Sequence, residues 1–195
     1  MDGDSIIMIL IMIALTACSA FFSATETAYL SFNQAKMKTL AASGDKRAQM
    51  VLSLYNDYDR LITSVLVGNN IVNISLSSIS TVLFIKFLGD MGATVSTVII
   101  TVIVLIFGEI TPKTVSKDFA ESFALSTVYA VKAVILIFYP LSFIFGLWQK
   151  LVDRISNPPG ESTVTEDEII TLVDEAEEGG GIDSDEGELI RSAIG

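Results

Sequence analysis

Residues 93–113 read ATVSTVIITVIVLIFGEITPK, an almost unbroken apolar run that closes on a carboxylate, Glu109, three residues before Pro112. A helix needs roughly 20 such residues to cross the hydrocarbon core of a bilayer, so this run sets the fold as a helical membrane protein. An ionisable group inside such a run marks function. Pro112 has no N–H and its ring crowds the carbonyl four residues back, which in a regular helix belongs to Gly108. A freed backbone oxygen would then lie beside the Glu109 carboxylate, giving two oxygen ligands of the kind a hard cation takes. Such irregular backbone is tolerated at membrane depth only where protein or a wet cavity covers it. A second reading uses the same residues: Glu109 and Lys113 stand i, i+4 in the favoured order for a helical ion pair, with Lys113 marking the cytosolic end of the span.

Outward from this run the rest of the chain agrees on the solvent. Hydrophobic residues make up 51% of the 195, and the mean hydropathy is +0.59, too apolar for an ordinary soluble domain. Ile6 to Ala24 and Leu61 to Phe87 are two further spans, while Phe123 to Leu147 is apolar but carries Lys132 and Pro140. The start, Met1-Asp2-Gly3-Asp4, is acidic where a secretory leader is basic, so the first span is expected to stay attached. Cys18, the single cysteine, lies inside that span, where it reads as a packed core thiol with no intrachain disulfide to form.

The net charge of −11 is unevenly placed. Residues 1–160 hold 11 acidic and 11 basic side chains, whereas residues 161–195 hold 12 acidic ones against Arg191 alone. Ser156-Asn157-Pro158-Pro159-Gly160 punctuates the boundary as a linker does. The expected domains are 1–154, a transmembrane domain, and 155–195, an acidic cytosolic helical linker. No basic patch is interleaved with aromatics, so nucleic acid is not an expected partner. No nucleophile elbow, phosphate loop or zinc-enzyme signature appears, and no enzymatic activity is expected. The run Asp183-Ser-Asp185-Glu-Gly187 falls short of a calcium loop, with its glycine at position five rather than six and no Glu at twelve.

Residues 32–60 carry Lys36, Lys38, Lys46, Arg47 and Arg60, which places this loop in the cytosol and the N-terminus outside. Ser43-Gly44-Asp45 breaks the loop into two short helices. Three crossings leave the chain in the cytosol after Lys113 and Lys117. The segment Phe123–Leu147 has Lys150 and Arg154 beyond it, so both of its ends read as cytosolic. It is expected to be a juxtamembrane or re-entrant belt helix bent at Pro140, with Lys132 snorkelling; a fourth full crossing is the alternative its length allows. In the tail, Thr165-Glu166-Asp167-Glu168 is a capping-box pattern, Gly179-Gly180-Gly181 ends that helix, and another begins near Asp183.

Polar stripes face Glu109 from the other spans. Ser19, Ser23 and Glu26 fall at i, i+4 and i+7, with Thr16 above them, and Asn69, Asn73, Ser77 and Ser80 make a second stripe with Asn70 beside it. Gly68 is expected to let a neighbouring backbone approach. Small and amide residues in membrane helices serve packing or ligation, and either stripe alone suits both. With no histidine in the chain, oxygen-only chemistry favours Mg²⁺, Ca²⁺, Mn²⁺ or Na⁺ over zinc.

The runs Ser19-Ala-Phe-Phe-Ser23-Ala-Thr-Glu26-Thr-Ala, Gly68-Asn69-Asn70-Ile-Val-Asn73 and Gly108-Glu109-Ile-Thr-Pro112-Lys113 resemble, in order, the signature segments of the CorC/cyclin-M (CNNM) family of magnesium transporters. The resemblance implies a homodimer in the cell or inner membrane, with three spans, a belt helix and a cytosolic tail. It implies one Mg²⁺ per protomer, held by Ser19, Ser23, Asn69, Asn73 and Glu109 with backbone oxygen near Gly108; Asn70 and Glu26 are second choices. Pro112 and Gly68 have structural roles in this pattern. It further implies Mg²⁺ export by alternating access, with Co²⁺ as a second cargo and Na⁺ as coupling ion. The acidic linker would lead to a CBS-pair domain that binds ATP, and the chain reads as ending within that linker. The rival reading is a Mg²⁺-sensing regulator of another transporter, with no flux of its own.

Overall fold

The computed structural model describes residues 2–156 and, in the tail, 170, 173, 174, 176, 177 and 183–194. The proline linker, the Thr165–Glu168 cap and the triple glycine lie outside these. The described residues are helical with no strand, and they fall into two compact units, Met1–Leu147 and Trp148–Gly195.

Helix α1 (Gly3–Ser31) starts on Asp2, whose side chain accepts from the Ser5 N–H at 3.3 Å. Two short helices follow, α2 (Gln34–Ala42) and α3 (Lys46–Tyr55), as the break at Ser43-Gly44-Asp45 predicts. Gly44 has φ +96°, a left-handed backbone that side chains disfavour. Asp45 then caps α3 by accepting from the Arg47 and Ala48 N–H groups. Helix α4 (Tyr58–Leu88) turns back through the 3₁₀ turn Gly89–Met91 into α5 (Gly92–Ile103), which widens into a π-helical stretch, Val104–Ile110. That stretch passes into α6 (Thr111–Asp118), and α7 runs from Ala120 to Ser156 through Pro140.

Three helical runs are long and apolar enough to cross a membrane: Gly3–Ser31, Tyr58–Asp118 and Ala120–Leu141. The second doubles back at Gly89–Met91 and so supplies two arms. Ile13, Ile74, Val98 and Leu136 are among many large apolar side chains left exposed, the reverse of a soluble protein. This is a membrane protein.

The α4–α5 hairpin closes tightly. Ser80 and Ser96 share a buried hydrogen bond of 2.6 Å, and a Cβ on Gly92 would lie 2.5 Å from the Ile85 backbone. Helix α1 packs antiparallel on α4, with Asp2 paired to Lys86 at one end and Ser19 bonded to Asn69 further along. Beyond Ser23, the last turns of α1 meet α2, α3, the start of α4 and one face of α7. Tyr29, Phe32, Met37, Val51, Leu61, Val65, Ala124, Val128 and Val131 are buried together there. Each large apolar side chain contributes about 1.5–3 kcal/mol by leaving water, so this end anchors the helices whose polar faces form the site.

Helix α8 (Ser184–Ile194) begins on a reciprocal cap. Asp183 accepts from the Glu186 N–H at 2.8 Å while Glu186 accepts from the Asp183 N–H at 3.1 Å. Arg191 on α8 pairs with Asp174 at 2.5 Å and Glu177 at 2.6 Å.

The Asp2 pair predicts an acid-side signature. Hydrogen bonds from Lys86 and the Ser5 hydroxyl lower the Asp2 carboxyl from 3.8 to about 2. A depressed folded value means that the pair stabilises fully above the unfolded value and fades as pH falls from there through about 2. Thermal unfolding across that window should show Asp2→Asn losing part of the acid dependence while matching the parent at its bottom. The pair is exposed, so the difference should be small.

Candidate functional site

The polar stripes meet where α1 crosses α4 and the π stretch. Ser19 is buried, and its Oγ donates to Asn69 Oδ1 at 3.0 Å. Asn73 Nδ2 donates to the same oxygen at 3.4 Å, which gathers two helices on one acceptor. The third element arrives through Gly108: a Cβ there would stand 2.9 Å from Ser19 Oγ and 3.3 Å from Ser19 Cβ. A side chain at this point would push on Ser19, so glycine suits the close approach of the π stretch to α1. One turn along α1, Ser23 is fully buried, and neither its Oγ nor the Asn73 Oδ1 has a protein hydrogen-bond partner.

Glu109 is half-buried next to Gly108 and makes no ion pair with any described residue. Lys113 reaches instead across to Glu26 on α1, at 2.9 Å. The i, i+4 pair open in the sequence is therefore not formed. Its geometry assumes an α-helix, and the π register through Ile110 rotates Glu109 away from the residue four positions on.

The same register moves the freed carbonyl. Thr111 N–H donates to the Ile106 carbonyl, five residues back, and Pro112 has no N–H to offer the next one. Continued by one residue, the five-back register sets the missing Pro112 donor opposite the carbonyl of Phe107, where an α-helical count sets it opposite Gly108. Seven residues of sequence cannot distinguish an i−5 ladder from an i−4 one. The helix also continues past Pro112 to Asp118. The proline occupies the first turn of α6, where a missing N–H is tolerated.

The remaining positions divide. Asn70 is exposed, outside the cluster, and Ser77 is exposed as well. Ser80 is taken up by Ser96, and Thr16 Oγ1 donates to the carbonyl of Met12. Gly68 admits the ring of Phe22, which lies 2.6 Å from where its Cβ would be, with Phe138 at 3.1 Å; the neighbours are rings rather than the expected backbone. Among the described residues no three His, Cys, Asp or Glu side chains cluster as a metal group. The set is neutral hydroxyl, amide and backbone oxygens, with the half-buried Glu109 next in the chain to Gly108, a chemistry for hard cations.

Restoring a donor tests the backbone oxygen. Pro112→Ala supplies an N–H to the ladder, so stability without ion should be equal or higher. The stability increment on adding Mg²⁺ should fall, since a ligand stabilises in proportion to its affinity for the folded state. A thermal shift with the full parental increment would assign Pro112 to helix geometry alone.

A family model described as the cyclin M transmembrane N-terminal domain matches residues 10–186. A UPF0053 protein of Haemophilus influenzae is 33% identical over 181 residues, covering 90% of this chain and 43% of its own length. The UPF0053 inner membrane protein YfjD of Escherichia coli is 30% identical over 162 residues, 81% of this chain and 38% of its own. The polyamine export protein of Haemophilus influenzae is 26% identical over 199 residues, 94% of this chain and 46% of its own. The chain thus spans less than half the length of these relatives. Three helices carrying the signature segments, meeting through Ser19, Asn69 and Gly108, and a match over nearly the whole chain place the protein in the CNNM family, as its cyclin M transmembrane domain.

Proposed function

We propose that this domain carries Mg²⁺ across the cell or inner membrane, exporting it by alternating access. The observation that supports this reading is the convergence of Ser19, Ser23, Asn69, Asn73 and Gly108, with Glu109 half-buried alongside. Mg²⁺ dehydrates reluctantly and demands near-octahedral oxygens, so a carrier must replace several waters at once. Oxygens from three helices meeting at one level suit that task, and a site at an irregular helix is how secondary transporters hold ions. Glu109 supplies the charge, Ser23 Oγ and Asn73 Oδ1 are free acceptors, and the Phe107 carbonyl adds a backbone ligand. In this reading the N-terminus is outside and the tail cytosolic, α7 is the belt, the working unit is a homodimer, and Na⁺ is the coupling ion. Co²⁺ is a second cargo, and ATP acts through a CBS-pair domain in the longer protein.

Liposomes containing only the purified chain test the reading through dye-reported Mg²⁺ flux. Flux that disappears in Glu109→Gln supports it, while binding without flux leaves the sensor role. Labelling a cysteine at Ser122 from the cytosolic side tests the orientation. A second cargo class has its own support in the relative named a polyamine export protein. Ammonium groups would use the same carboxylate and carbonyl acceptors. Counterflow of spermidine without Mg²⁺ flux would select that class.

A further inference from the structure

Away from the ion site, a cleft of about 490 Å³ opens between the start of α4 and the outer face of α7. One half is charged: Arg60, Lys132 and Asp57 line it. The other half is apolar, formed by Leu61, Ile135 and Leu136. Arg60 is held in place by Tyr139, whose ring centroid lies 4.3 Å from the guanidinium carbon, and by Asp57 at 3.5 Å. Its Nε is buried with no protein acceptor. Lys132 is exposed and has no ion-pair partner among the described residues. Two cations against one carboxylate leave a positive charge at the head of the cleft. Leu136 is 75% exposed, so the apolar half runs out onto the bare surface of α7.

We infer that this cleft binds an anionic phospholipid, its phosphate between Arg60 and Lys132 and an acyl chain along Leu136. The charge excludes a metal ion, and a free phosphate would leave the apolar half uncovered. The exposed part of the Arg60 guanidinium, positioned by Tyr139 and Asp57, suits a phosphate, and the lysine adds a mobile point charge. Arg60 sits in the first turn of α4 and Lys132 on α7 beside exposed apolar side chains, a pairing of cations with bare apolar surface that suits anionic headgroups. The site stands apart from the transport reading and does not depend on it.

The test titrates the purified chain in detergent with dioctanoyl phosphatidylglycerol, dioctanoyl phosphatidylcholine or inorganic phosphate. Thermal shift and native mass spectrometry report binding. Phosphatidylglycerol should raise the unfolding midpoint and remain as a discrete adduct, whereas the other two should not. Lys132→Gln, exposed and so harmless to folding, should weaken it roughly five-fold, the worth of one lysine near an anionic surface. Lys132→Glu should weaken it about thirty-fold on the same scale. An equal response to phosphatidylcholine, a full shift from inorganic phosphate alone, or parental binding in Lys132→Gln would overturn the assignment.

Discussion

Glu109→Gln should leave the chain folded and weaken Mg²⁺ binding at least a hundred-fold, about 2.7 kcal/mol. The amide keeps the shape of the carboxylate while removing the one full charge among the proposed ligands. Interactions with an ionised group are roughly twice as strong as neutral ones, and more so where water is partly excluded. The substitution breaks no ion pair, because Lys113 is bound to Glu26 and not to Glu109. Stability without ion should therefore match the parent, and the loss should appear only on titration with Mg²⁺. Calorimetry giving parental affinity in the mutant would remove Glu109 from the site.

Gly92→Ala should be the most damaging single-methyl change in the fold. The added carbon would lie 2.5 Å from both the nitrogen and the Cα of Ile85, and backbone atoms in a helix cannot swing aside as a side chain can. Overpacking commonly costs about 1–3 kcal/mol, and this contact belongs at the upper end. Prying α5 from α4 would also stretch the bond between Ser80 and Ser96. Gly3→Ala is the control, since nothing stands within 4 Å of its Cβ. Equal unfolding midpoints for the two variants would show that the hairpin accommodates the added carbon without strain.

Much of this architecture is legible in the sequence because its signals are periodic or chemical. The apolar runs give the spans, Ser43-Gly44-Asp45 gives the break between α2 and α3, and Asp183 gives the start of α8. The stripes on α1 and α4 were readable from spacing, and Ser19 and Asn69 do face one another. What spacing could not give is the ladder around Glu109. A π turn leaves no mark in seven residues, so a Glu109–Lys113 pair and a Glu109 turned inward stayed equally open there until Lys113 was found on Glu26. The ring of Phe22 against Gly68 was hidden for another reason: a missing Cβ announces room for something without saying what fills it.

The turn at Gly89–Met91 also bears on the order of assembly. Joining α4 to α5 orders only three residues, so closing the hairpin carries little loop entropy. Bringing α1 onto α4 must first gather the whole stretch that becomes α2 and α3, a longer closure and hence a slower contact. The hairpin should thus be the early unit and α1 the late arrival. Ser19 and Ser23 ride on that late helix, so ion competence would be the last property the chain acquires as it folds. Mg²⁺ binding followed in time would then serve as a clock for completed folding.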